Sequence, residues 1–212
     1  MKILAISDEE VPGFYEYYTP GTFSEYDLIL ACGDLKRRYL EFIVTLAPCP
    51  VLYVRGNHDE SYKTEPPEGC ICIEDQIYVH NGIRIMGLGG CQKYKEGMNF
   101  YTEKEMKKRL DRLRFQLWRH KGIDILLTHA PAYQLNDMEH LTHRGFQCFK
   151  DIMEKYRPKY FIHGHVHRNY GRNIPRKSNY QETTVINACG HYVIEMENKE
   201  KEIGRKKIES QS

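Results

Sequence analysis

Five short segments of this chain carry side chains able to hold metal ions or move protons. They are Asp8-Glu9-Glu10, Gly33-Asp34, Gly56-Asn57-His58-Asp59, Thr128-His129-Ala130-Pro131 and Gly164-His165-Val166-His167. Their carboxylate, amide-oxygen and imidazole donors suit Mn²⁺, Fe or Zn²⁺ better than Ca²⁺. No cysteine falls inside them, which argues against a thiolate-bound structural zinc. His165 and His167 are two apart, so extended backbone would point them to opposite faces, and a loop there would aim each at a different metal. Donors of this kind, once gathered, suit a pair of metal ions, and such a pair is well suited to cleaving phosphate esters.

Each segment starts where an apolar run stops. Lys2–Ser7 runs into Asp8, residues 27–32 into Gly33-Asp34, and residues 51–54 into Arg55-Gly56-Asn57-His58. Residues 123–127 lead to His129, and residues 159–162 lead to His163 and the Gly164 segment. The runs are nearly continuous rather than alternating, as in strands buried on both faces. Between the second and third, Leu40, Ile43, Val44 and Ala47 recur at helical spacing, and Pro48 and Pro50 stop the pattern. Strand, helix, strand predicts a parallel α/β core. Ligands gather at the carboxyl ends of such strands, so Asp8, Asp34, Asn57, His129, His165 and His167 are expected to converge.

The remaining elements follow from turn and helix signals. Residues 76–88 read as two strands around Asn81-Gly82, an antiparallel insert leading into Gly87-Leu88-Gly89-Gly90. Residues 102–120 read as the longest helix, with Thr102 and Glu105 as a capping box and Met106, Leu110, Leu113 and Leu117 as its apolar stripe. Residues 145–156 read as a helix stopped by Pro158, and residues 183–187 and 192–196 as closing strands. One domain over 1–198 is expected, with a charged tail over 199–212 that frays.

A chain of 212 residues is long enough for a sizeable core. Its net charge of +2 makes no case for nucleic acid or an anionic membrane. No apolar run approaches a membrane span, and Met1 to Ser7 reads as a strand rather than a signal peptide. Seven cysteines, an odd number without secreted-domain spacing, point to reduced thiols in a cytoplasmic protein. No coiled-coil heptad marks an oligomer interface. His163 and His191 read as structural histidines, and His80, His120, His140 and His143 as solvent-exposed ones.

The five segments resemble the motifs of the calcineurin-like metallophosphoesterases: D-x-H, G-D, G-N-H-D/E, an isolated H and G-H-x-H, in that order over residues 8–167. The resemblance implies an αββα sandwich, two mixed sheets between helices. It implies two divalent metal ions, with manganese preferred and iron, zinc or magnesium as alternatives. Asp34 would bridge them, Asp8 and His167 would serve the first, and Asn57, His129 and His165 the second. His58 would contact the phosphate and protonate the leaving oxygen rather than bind metal. Glu10 stands where the family has histidine. It is read as a direct ligand of the first metal, which favours Mn²⁺ or Mg²⁺, with action through water as the alternative.

The function implied is hydrolysis of a small phosphodiester or nucleotide-like ester by attack of a metal-bridging hydroxide. The alternative is a catalytically weak or silent scaffold of the same fold that binds a protein partner. A nuclease is disfavoured by the balanced charge and the lack of a basic stripe. Substrate choice would rest with the segments 9–26, 92–101, 133–145 and 168–181, rich in Tyr, Asn, Lys and Arg.

Overall fold

The structure, a computed structural model, describes residues 1–167 and 175–196. The expected tail lies outside the described residues, as do residues 168–174 of the expected substrate segment. In chain order the elements are β1 (Lys2–Ser7), β2 (Leu28–Ala31), α1 (Arg37–Leu46), β3 (Val51–Tyr53), β4 (Ile71–Cys72), β5 (Gln76–His80) and β6 (Ile83–Leu88). There follow β7 (Cys91–Gln92), β8 (Phe100–Tyr101), α2 (Glu103–Arg112), α3 (Arg114–Arg119) and β9 (Ile125–Thr128). The chain continues through α4 (Gln147–Tyr156), β10 (Tyr160–His163), β11 (Lys177–Tyr180), β12 (Thr183–Asn187) and β13 (Gly190–Glu195).

Two mixed sheets form. One has the order β13-β1-β2-β3-β4, the other β11-β12-β10-β9-β6-β5. Within the first, β1 to β4 are parallel and β13 is antiparallel. Within the second, β12, β10, β9 and β6 are parallel, flanked by the antiparallel strands β11 and β5.

Side-chain alternation then builds three apolar layers. Ile3 and Ala5 of β1 meet Ile125, Leu127 and Ile162 between the sheets, while Leu4 and Ile6 turn outward to Tyr39, Leu40 and Ile43 of α1. On the far side, Leu126 and Phe161 face Met106 and Leu110 of α2, Leu117 of α3, and Phe149 and Met153 of α4. The result is the αββα sandwich, and it explains the continuous apolar runs: β1, β2, β9 and β10 are covered on both faces.

Two expectations need correction. Residues 102–120 form two helices, not one. The capping box of Thr102 and Glu105 is present. At Leu113, however, the N–H bonds back three residues to Leu110 O at 3.0 Å, and helical pairing resumes from Leu117 N to Leu113 O. This tightened turn leaves Leu110, Leu113 and Leu117 all buried. Residues 76–88 do make a hairpin on the left-handed pair Asn81 and Gly82. It is no insert, because β6 also pairs with β9 and so belongs to the second sheet.

Candidate functional site

β1, β2 and β3 end at the same rim as β9, β10 and β12, so loops from both sheets meet there. Hydrogen bonds cross from one sheet to the other. Both Asp8 carboxylate oxygens accept from His165 N, at 3.0 and 2.9 Å, and His129 Nδ1 lies 2.7 Å from Cys32 O. Asp8, Asp34 and His165 all have positive φ, near 60°, the left-handed region that side chains seldom occupy. Three such residues at one rim mark a backbone bent for the sake of side-chain placement.

The motif glycines have a steric cause. A Cβ on Gly56 would overlap the Asp34 carboxylate, and one on Gly164 would overlap the side chains of Ser7 and Asp8. The loops therefore close on the carboxylates themselves. Asp59 braces this arrangement by accepting from Asp34 N at 2.8 Å and Gly56 N at 2.7 Å. Burial, and then the Asp34 charge, push Asp59 up to about 6.

The centre of the site is His129 Nε2, fully buried. It lies 2.9 Å from Asn57 Oδ1, 3.1 Å from His165 Nδ1 and 3.4 Å from Asp34 Oδ2. The outer ring nitrogens are committed: His129 Nδ1 to Cys32 O, and His165 Nε2 to Thr142 O at 2.6 Å. Each carbonyl accepts an N–H, so His165 Nδ1 is left as a bare lone pair. His129 Nε2 therefore faces three acceptors and must carry either a proton or share a cation with them. Without a cation it takes the proton. Burial would lower its pKa, but Asp34 and then Asp8 raise it to about 9. Burial likewise opposes Asp34 ionisation, yet His129 and the His58 N–H hold that carboxyl down at about 2. Burial raises Asp8, and burial and then His129 keep His165 neutral. Two oxygens and two imidazole nitrogens around one buried point fit a divalent ion.

A second cluster adjoins the first. His167 Nδ1 lies 3.3 Å from Glu9 Oε1, and these two side chains with Cys189 place their donor atoms within 4.8 Å of one another. Glu10 is in neither cluster; its carboxylate lies 3.4 Å from Lys36 Nζ. Asp8 is in neither cluster by that measure, but it sits in electrostatic contact with His129, Asp34 and His167. His58 is exposed, with its main-chain N–H donating to Asp34 Oδ1 at 2.8 Å.

Three residues here escaped the sequence reading. Glu9 reaches His167 because the left-handed Asp8 breaks the period-two alternation that would have paired Asp8 with Glu10. Cys189 follows β12, so the strand-end rule applied to the last apolar run would have found it. His143, expected in solvent, is half-buried with its ring 5.2 Å from that of His165, and no signal in its own segment marks it. His163 is buried as expected, but its Nε2 has no hydrogen-bond partner. Arg55 is held by Glu74.

The sequence model of the calcineurin-like phosphoesterases matches residues 1–169, and so takes in the five motif segments though not Cys189. The chain belongs to that family. Among solved structures, this chain is similar in fold to TT1561 of Thermus thermophilus, with a TM-score of 0.58 and 15% identity over 89% of each chain. It is also similar to Plasmodium GAP50, described as the anchor in the inner membrane complex, with a TM-score of 0.51 and 12% identity over 88% of this chain and 70% of that one. A hypothetical protein, also from Thermus thermophilus, matches with a TM-score of 0.50 and 16% identity, over 88% and 75%. A search of curated proteins found no match. At these identities the structural likeness concerns the fold alone.

Proposed function

We propose that this chain is a metal-dependent hydrolase of small phosphate esters, a phosphodiester or nucleotide-like compound. The observation that carries the reading is the convergence of Asp34, Asn57, His129 and His165 on one buried point beside an exposed His58. Asp34, Asn57, His129 and His165 would hold one cation, and Asp8 and His167 would serve a second, with Asp34 shared. When bound, two divalent ions lower the pKa of water between them and neutralise charge on phosphoryl oxygens. Manganese is the preferred ion, with iron, zinc and magnesium as alternatives.

The chain's own residues do the rest. Asp59 and the His58 N–H hold the two sides of the Asp34 loop. The Cys32 and Thr142 carbonyls orient the two imidazoles. His58, free of the buried ring of donors, supplies a proton to the leaving oxygen as general acid. No helix among the described residues is long and apolar enough to cross a membrane. None of the seven cysteines is in a disulfide among the described residues, and a cytoplasmic setting is part of the proposal.

The test is hydrolysis of bis-p-nitrophenyl phosphate and p-nitrophenyl phosphate, with Mn²⁺, Fe²⁺, Zn²⁺ and Mg²⁺ compared. Turnover lost to a chelator and restored by one ion supports the reading. Silence on a broad phosphoester panel with every ion sinks it in favour of a scaffold. That second reading draws on the fold shared with GAP50, the anchor in its own complex; the exposed His58 weighs against it.

A further inference from the structure

Between β12 and β13 the chain leaves the second sheet and joins the first, and Cys189 lies on that crossing. Ala188 N donates to His163 O at 2.7 Å, which ties the near side of the crossing to β10. On the far side, Ser7 pairs with Gly190 and bridges to Cys189, which ties it to the end of β1. Asn187 locks the bend: its Oδ1 accepts from Cys189 N at 3.0 Å and its Nδ2 donates to Val166 O at 2.8 Å. Cys189 is thereby held next to both segments that flank it at the rim, Asp8-Glu9 and Val166-His167. Its side chain is buried, with the residue 1% exposed.

Glu9 arrives by a separate device. Its N–H turns back to Ser7 O, at 2.6 Å, across the left-handed Asp8. The turn sends Glu9 to His167 and sends Glu10 to Lys36.

We propose that the second cluster is a thiolate-containing cation site, Glu9–His167–Cys189, and that Glu10 is not a ligand. This rests on the metal-dependent reading above and reassigns the ligands of its second cation, keeping His167. One carboxylate oxygen, one imidazole nitrogen and one sulfur lie within 4.8 Å of each other, close enough for a single ion to reach all three. On ligation the Cys189 thiol releases its proton to solvent and binds as thiolate. A sulfur donor selects zinc, cobalt or ferrous iron over magnesium, so the two clusters differ in the ion they prefer. The buried cluster of Asp34, Asn57, His129 and His165 has no sulfur, and the neighbouring one does.

The experiment is a Co²⁺ titration of chelator-stripped protein, followed by absorbance, beside zinc-edge X-ray absorption of the wild-type chain loaded with Zn²⁺. The wild type is expected to take two equivalents, one of which brings a thiolate-to-cobalt charge-transfer band. The zinc spectrum should contain a sulfur scatterer at about 2.3 Å. Cys189→Ser should abolish the band, Glu9→Gln should weaken the equivalent that carries it, and Glu10→Gln should leave both equivalents and the band intact. A wild-type spectrum with no sulfur contribution overturns the proposal without need of any variant. So does a band that survives Cys189→Ser, or loss of an equivalent in Glu10→Gln alone. Phosphoester turnover without a sulfur ligand would sink this proposal and spare the enzyme; a sulfur ligand without turnover would do the reverse.

Discussion

The two donor clusters sit side by side yet are built differently. In the buried one, the Asp34 side chain is 10% exposed and that of His129 0%, and each outer ring nitrogen has a committed partner. In its neighbour, the Glu9 and His167 side chains are 44% and 30% exposed and meet at 3.3 Å. The first is held by motif glycines and strand ends, the second by a left-handed turn and a crossing between sheets. The lesson is that a motif specifies the site whose backbone it shapes. Where one ligand comes from a turn outside the motif, neighbouring residues of similar chemistry can exchange roles.

Asp34→Ala attacks the buried cluster most directly. It leaves His129 without its charge partner and should destabilise the metal-free protein by about 3–5 kcal/mol, the range for breaking a buried pair. Urea unfolding measures this, and phosphoester turnover should vanish with it. If stability is unchanged, the pre-organisation attributed to this cluster is absent.

His58→Gln separates chemistry from assembly. Turnover should fall roughly 10²–10⁴-fold, the usual worth of a general acid, while metal content by elemental analysis stays at the wild-type value. Loss of metal would instead make His58 part of the cluster.

Gly56→Ala tests the close approach of the loop to Asp34. Overpacking of this kind should lower stability by about 1–3 kcal/mol and loosen the buried cation, read by calorimetric titration. Wild-type affinity would mean that the loop has room to relax.

Glu10→Gln should do least. Glu10 Oε1 is buried without a hydrogen bond, and its ion-pair partner Lys36, 3.4 Å away, is a surface lysine whose contribution is about 0–1 kcal/mol. Unfolding midpoint and metal stoichiometry should both remain near wild type, in contrast to any change at Glu9.

Much of the scaffold was legible. The runs at residues 2–7, 27–32, 51–54 and 123–127 have two apolar faces, a property local sequence displays. The capping box at Thr102 and Glu105 and the turn at Asn81-Gly82 depend on residues at most three apart. The break at Leu113 was hidden, since the apolar stripe runs through it without interruption. The membership of β6 in the second sheet was hidden too, because it needs β9, some forty residues on in sequence.

Sequence alone determined which donors stand at strand ends, because strand length and the glycines that follow are written locally. It also determined the order of the family motifs. Only the tertiary structure decided that Glu9 rather than Glu10 faces His167, that Cys189 joins them, and that the turn bearing Thr142 and His143 closes over His165. The first two depend on one left-handed φ and on where the chain changes sheets. Both are settled by packing between segments more than a hundred residues apart, which no local pattern encodes.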